Sequence, residues 1–321
     1  MDLFNSALGR NISFIRPAYF IIRGFIGLPY IKYYYIFLFF VYIVSVLGNT
    51  AVMAVIYLDH KLRTPKYVAV FNLALSDLLG STSLLPKVLD IFLFNHYYIS
   101  YNDCMAFLFF CFTFLAMQAF NLVALSYDRL MAIMFPLHYQ TKVTNRKMLS
   151  FIAIFWMFVV ISFLIVVGLL SRLSFCRSVV INSYFCDHAP LFVLACNDNF
   201  PSIVTGFLLP SLILWFPFAI ILSSYLCIGY TLSKVASVQE RLKAFKTCTA
   251  HLSLVGIYFI PSILIFGVAV KMPQNARIIS LSLASIFPPI LNPIIYVLQT
   301  HEIKVSIKKI FKRWKSNNMV N

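Results

Sequence analysis

The chain has 321 residues, 61% of them hydrophobic and only 11% charged, with a mean hydropathy of +0.87. That composition excludes a water-soluble domain, since too little polar surface remains to cover a core of such size. The formal charge of +16 raises nucleic acid as a partner, but the basic residues sit in short separate loops and not on one face, which argues against it.

Residues 1–33 read as an N-terminal segment. Its apolar stretch Phe14–Leu28 is interrupted by Arg16, Pro17 and Arg23, and no small-residue cleavage site follows. A signal peptide is therefore not expected, and the first span serves as the insertion signal. Asn11-Ile12-Ser13 is the one glycosylation sequon, making Asn11 the candidate acceptor. A spanning helix needs roughly 20 mostly apolar residues. Such runs lie at 34–58, 67–93, 103–134, 148–170, 202–233, 244–270 and 278–299, which predicts an all-α membrane protein with a seven-helix bundle over 34–300. Lys61, Arg63, Lys66, Lys142, Arg146, Lys147, Lys234, Arg241, Lys243, Lys246 and the basic tail fall on one side. By the positive-inside rule that side is cytoplasmic and the N-terminus is extracellular.

Along the spans, a few polar residues stand at mid-membrane depth. Gly48-Asn49 lies in the first helix, Asp77 in the second, Gln118 and Asn121 in the third, and Asn292-Pro293 in the seventh. A lone buried carboxylate is costly there, so Asn49, Asp77, Gln118 and Asn292 are expected to cluster with Ser76 and Asn121. They either rearrange in function or simply hold the bundle by interhelical hydrogen bonds. Of the seven cysteines, Cys104, Cys176, Cys186 and Cys196 fall on the outer, oxidising side, where three connectivities are possible; Cys111, Cys227 and Cys248 are expected to be free thiols. A metal site among them is disfavoured by the lack of suitably spaced histidines.

Helical spacing puts Leu108, Cys111, Phe112 and Leu115 on one face of the third helix and Phe259, Ser262, Ile263 and Phe266 on one face of the sixth. With Leu209 and Ile213 of the fifth and Ser282 and Ser285 of the seventh, these are candidate linings for a small, largely apolar ligand, or else ordinary helix packing. Lys87, Lys271 and Arg277 near the outer mouth read as snorkelling or solvated cations in preference to a carboxylate or sulfate site. Residues 301–321 form a cytoplasmic amphipathic helix and tail. Ile303, Ile307, Ile310, Phe311 and Trp314 share one face opposite lysines, a pattern for membrane lipid.

The third helix ends in Leu125-Ser-Tyr-Asp128-Arg129-Leu-Met-Ala-Ile-Met-Phe-Pro136-Leu-His-Tyr139. That stretch resembles the signature at the inner end of the third helix in odorant receptors, a branch of the rhodopsin-like G-protein-coupled receptors. Leu62-Arg63-Thr64-Pro65-Lys66-Tyr67, Leu73-Ala-Leu-Ser76-Asp77, Ser224-Tyr225, Lys243–His251 and Pro289-Ile-Leu-Asn292-Pro293-Ile-Ile-Tyr296 resemble further motifs of that family, in the same order. Arg63, Lys66, Leu130, Met134, Lys246 and Ala250 depart from its commonest residues, and Gln118 stands where a glutamate is frequent. The resemblance covers about residues 33–300.

The resemblance implies several assignments. Asp128 restrains Arg129, which is released toward a heterotrimeric G protein of the stimulatory olfactory type with cyclic AMP as output. Tyr225, His251 and Tyr296 join that inner-face switch, and Asn49, Asp77 and Asn292 form a rearranging water or sodium network. Cys104 pairs with Cys186 and Cys176 with Cys196. The ligand is a small-molecule odorant, and no cofactor or metal is implied. No acid lies on the third helix between Met105 and Asn121, and no lysine on the seventh between Ile278 and Gln299, which removes an amine counter-ion and a retinal Schiff base. No nucleophile–base set, zinc spacing or phosphate loop suggests an enzyme. A transporter or channel would call for internal repeats or charged pore residues. A non-odorant receptor for a lipid or peptide is the nearer alternative.

Overall fold

The structure, a computed structural model, describes residues 15–235, 237–268 and 272–318. Asn11, Lys271 and the side chains of Lys243, Lys246, Phe266, Phe311 and Trp314 lie outside that description. Seven helices are long and apolar enough to cross a membrane. They are α1 (Ile31–Leu58), α2 (Pro65–Leu93), α3 (Tyr101–Met134), α4 (Asn145–Ser171), α5 (Phe200–Ser233), α6 (Val238–Val268) and α7 (Gln274–Gln299). An eighth, α8 (His301–Asn318), follows after Thr300 alone. Most helices begin two to four residues before the apolar runs, because the first turn lies outside the apolar slab. Ser100 caps α3 by accepting the Asp103 N–H, and Thr144 caps α4 through the Lys147 N–H.

Between helices in lipid no hydrophobic force acts, so close packing and hydrogen bonds hold the bundle. Helix α3 is the most enclosed of the seven and α1 and α4 the least. Its small residues Ala116, Ala119 and Ala124 are buried and admit neighbouring backbones closely. Large apolar side chains such as Phe40, Leu47, Ile154, Met157 and Leu226 point outward, as a lipid solvent requires. Prolines lie inside four of the helices, beginning with Pro86 in α2. Pro210 and Pro217 flank a wide turn at Ser211–Trp215 in α5, where the Phe216 N–H reaches back to Ser211. Pro261 lies inside α6, and Pro288, Pro289 and Pro293 lie inside α7.

One end of the bundle carries a small three-stranded sheet. Strand β1 (Tyr19–Ile22) runs antiparallel to β2 (Tyr98–Ser100) and parallel to β3 (Val180–Ile181). Period-two alternation sends Phe20 and Ile22 inward with no exposed surface. The apolar N-terminal stretch is thus a strand on the bundle, with Phe20 edge-on to Phe175 at 5.3 Å. Cys104–Cys186 ties the long loop to α3, with Cα atoms 5.5 Å apart, and Cys176–Cys196 closes the loop on itself at 5.8 Å. Cys111, Cys227 and Cys248 are free.

At the other end, α8 packs on the bundle. Ile303 is fully buried and Ile307 packs beside it in the core cluster of that end, so these two side chains meet protein where the sequence pattern suggested lipid. Asp59, just past α1, accepts from the Ser306 hydroxyl at 2.8 Å and from Lys309 Nζ at 3.2 Å. The Ser306 hydrogen bond, helped by the Lys61 N–H and Lys309 and opposed by burial, holds the Asp59 carboxyl down at about 2.

Candidate functional site

At the end opposite the sheet, Asp128 is almost wholly buried at the last turns of α3. Its two oxygens divide their partners. Oδ1 accepts the Tyr139 hydroxyl at 2.5 Å, and Oδ2 lies 3.3 Å from the Arg129 guanidinium. Tyr139 sits in a helical turn (Tyr139–Lys142) that follows Pro136, whose fixed φ and missing N–H help end α3. Among the described residues the acid is therefore held from two directions and the arginine from one. A charge paired so lightly and still one-eighth exposed is positioned to exchange its partner.

Two turns nearer mid-membrane a second junction spans three helices. Tyr225 Oη on α5 meets His251 Nδ1 on α6 at 2.6 Å, and His251 Nε2 meets the Leu122 carbonyl on α3 at 3.0 Å. A carbonyl only accepts, so in the neutral ring Nε2 carries the proton and Nδ1 accepts the tyrosine O–H. Further along, the Tyr258 hydroxyl donates to the Leu115 carbonyl at 2.9 Å. His251 and Tyr258 are two turns apart on α6, and Leu122 and Leu115 are two turns apart on α3. Side chains of α6 thus tether it twice to the α3 backbone. The expected single lock around Arg129, Tyr225 and His251 resolves into two parts: Arg129 bonds Asp128, and Tyr225 bonds His251. Tyr258 was missed by sequence reading, since a tyrosine beside Phe259 carries no sign of which ring faces the bundle.

The polar residues at mid-depth also divide. Pro293 has no N–H, which leaves the Pro289 carbonyl without its helical donor. Asn49 Nδ2 supplies one at 2.7 Å, while also bonding the Ser45 carbonyl at 2.9 Å. Gly48 makes that approach possible, because a Cβ there would stand 3.1 Å from the Pro293 ring. Asn292 Nδ2 donates to Asp77 at 2.7 Å. A separate chain links Trp156 and Asn72 at 3.1 Å, Asn72 and Asn121 at 2.5 Å, and Asn121 and Ser76 at 3.1 Å. Gln118 joins neither group: its Oε1 is buried with no partner, and its side chain faces a cavity. Its Nε2 lies beside Gly80, one turn along α2 from Asp77, with no hydrogen bond to Asp77 among the described residues. Asp77 Oδ1, Asn49 Oδ1, Asn292 Oδ1 and the Tyr296 hydroxyl are likewise buried without a partner among the described residues.

That cavity, about 20 Å³, has room for roughly one water. Gly80, Leu84, Cys111, Phe112, Leu115, Gln118, Phe185 and Ser285 line it. Cys111, Phe112 and Leu115 were expected on the third-helix face, and Ser285 on the seventh. Leu108 is fully buried in the adjoining core but does not reach it. Among the described residues, none of α5 or α6 is in the lining. Leu209 and Ile213 pack in the same core cluster, whereas Phe259 and Ile263 pack in the cluster of the opposite end, Phe259 against Phe218 at 5.3 Å. Ser262 bonds the Tyr258 carbonyl of its own helix, and the Ser282 hydroxyl is buried near Tyr34 and Tyr184. Gly80 lets α2 approach α3 closely there, since a Cβ would stand 3.3 Å from Phe114 Cβ and 3.8 Å from Gln118 Nε2. From the loop, Phe185 packs near Phe112 at 5.7 Å, and fully buried Tyr184 bonds Ser285 at 3.0 Å. Both flank Cys186, so the disulfide to α3 carries them into the bundle. Of the outer cations, Lys87 pairs with Asp90 at 2.8 Å and Arg277 with Asp187, so neither is a merely solvated charge.

A family profile described as olfactory receptor matches residues 38–314. Over 294 residues the chain is 35% identical to mouse olfactory receptor 1E16, covering 89% of this chain and 93% of that protein. Rat olfactory receptor 1 is 36% identical over 271 residues, covering 84% and 86% respectively. Human olfactory receptor 5B12 is 34% identical over 283 residues, covering 87% and 89%.

Proposed function

The chain belongs to the olfactory receptor family, and on that premise we propose how its two ends work as one odorant-gated switch. As a member it is an odorant-type G-protein-coupled receptor of the plasma membrane, not an enzyme. The further reading is that the sheet end faces outward and the α8 end faces the cytoplasm, with Asn11 the outer glycan acceptor. A small, largely apolar odorant occupies an enlarged form of the cavity beside Cys111, Phe112, Leu115 and Ser285, with Gln118 supplying one hydrogen bond. At about 20 Å³ the cavity admits no odorant as it stands, so binding is coupled to outward displacement of neighbouring side chains and helices. Leu108, Leu209, Ile213, Phe259, Ser262, Ile263, Phe266 and Ser282 belong to the packing that yields. Movement of α6 about Pro261 then breaks the tethers at Leu122 and Leu115 and opens the α8 end.

Release of Arg129 from Asp128 presents a cation to the C-terminal helix of a stimulatory, olfactory-type G protein, and cyclic AMP rises. The observation that carries this reading is the Asp128 site, a buried acid held by Tyr139 beside a lightly held arginine. The test is cyclic AMP in cells expressing the chain or Arg129→Ala, screened with small acids, alcohols, aldehydes, steroids and amines. A dose-dependent rise lost in the variant at equal surface expression supports it. An odorant response that persists in Arg129→Ala defeats the assigned role.

A further inference from the structure

A second and larger cavity, about 250 Å³, lies at the sheet end between the N-terminal segment, α1 and α2, away from the Gln118 cavity. Its walls are aromatic: Tyr35 stacks on Phe92 with centroids 4.8 Å apart and planes 7° from parallel, and Phe25 packs against Tyr35 at 6.4 Å. Its rim is cationic and amide-bearing, from Arg23, Lys32 and Asn95. Among the described residues no carboxylate lines it and neither Arg23 nor Lys32 has an ion-pair partner, unlike Lys87 and Arg277 nearby. The backbone is shaped to this form. Gly24 takes φ +64, and a Cβ there would strike the Phe92 ring at 2.4 Å, so only glycine lets the segment close over that ring.

We propose that this cavity binds one anionic amphiphile, with its carboxylate or phosphate head between Arg23 and Lys32 and its first carbons against Tyr35 and Phe92. Two unpaired cations over an aromatic-walled recess supply the two halves of such recognition, charge at the mouth and an apolar floor. The head group comes either from a free fatty acid in water or from an anionic lipid of the adjoining leaflet. The site is also joined to α7. Gln274 Nε2 donates to the Gly24 carbonyl at 2.9 Å, and Asn275 brackets Ile26, accepting its N–H at 2.9 Å and donating to its carbonyl at 2.8 Å. An occupant that orders residues 23–31 therefore bears on the start of the helix that supplies Ser285 to the odorant cavity.

The test uses the full-length receptor in phosphatidylcholine nanodiscs and radiolabelled decanoate, with empty discs subtracted. Saturable binding is expected, competed by decyl phosphate and not by decanol. It weakens at least about tenfold in the double variant Arg23→Gln, Lys32→Gln, the scale for losing charge-assisted contacts, and is retained in the charge-keeping Arg23→Lys, Lys32→Arg. Repeating the titration with phosphatidylglycerol in the discs separates the sources. Decanoate binding that falls identifies the lipid head group as occupant, and binding that is unchanged identifies the free acid. Saturable binding unaffected by the double neutralisation overturns the proposal, as does equal competition by decanol or the absence of saturable binding.

Discussion

Tyr258→Phe removes one hydroxyl and leaves the ring that packs on Phe259 at 4.9 Å. What is lost is the hydrogen bond to the Leu115 carbonyl at 2.9 Å. That carbonyl is mid-helix and keeps its own helical donor, so no orphaned group adds to the cost. Interhelical side-chain bonds in membranes average about 0.6 kcal/mol, and ordinary buried ones reach about 1.5 kcal/mol. If the bond exists only while α6 is docked on α3, the open-to-docked ratio rises by about three- to twelvefold. Ligand-free cyclic AMP, normalised to surface receptor, should rise by that factor while the docked state dominates. His251→Leu cuts the second tether, and the double variant should approach the product of the two effects, since the sites are two turns apart. Basal output unchanged in Tyr258→Phe and in the double variant, at normal expression, would refute docking by these tethers.

Other perturbations follow from the same geometry. Asn49→Ala leaves the Pro289 carbonyl only the longer bond from the Ser45 hydroxyl at 3.3 Å, and unfolding in detergent should show a loss of about 0.5–1.5 kcal/mol. Cys104→Ser frees the loop from α3 and should cost about 2–5 kcal/mol and most surface expression, whereas Cys227→Ser should cost neither. Gly80→Val puts methyl groups against Phe114, whose Cβ would stand 3.3 Å from the new Cβ, and beside Gln118 at the proposed odorant cavity, and should reduce odorant potency at least about tenfold at matched surface expression. The Asp59 carboxyl is held at about 2 in the folded chain, below its ordinary 3.8. Its contribution to docking α8 is therefore complete above about pH 4 and lost as pH falls toward 2. Hydrogen exchange at Ser306 and Ile307 should accelerate over that interval in the native chain and be already fast at neutral pH in Asp59→Ala.

Seven spans, their order and the family were legible in the chain, because membrane helices announce themselves by length and hydropathy and the motifs near Arg129 and Asn292 are local strings. Sidedness of the cysteines was legible for the same reason: loops between spans must alternate. Which faces meet was not. Helical period marks Cys111, Phe112 and Leu115 as one stripe, yet period says nothing of the partner opposite, and here the partners include Gly80, Ser285 and the loop's Phe185. Gln118 read as a member of the Asp77 group because both are polar at one depth; packing places its side chain at the small cavity beside Gly80. Ile303 and Ile307 read as lipid-facing because an amphipathic stripe is the same whether it meets acyl chains or protein. The N-terminal strand, the Asn49 repair of the Pro289 carbonyl and the paired tethers of α6 to α3 depend on contacts between residues far apart in sequence. Local patterns determined which segments enter the membrane, since each helix satisfies its own backbone there. Tertiary packing decided where the cavities lie and what holds the bundle shut, since in lipid only contact and hydrogen bonding select one helix face over another.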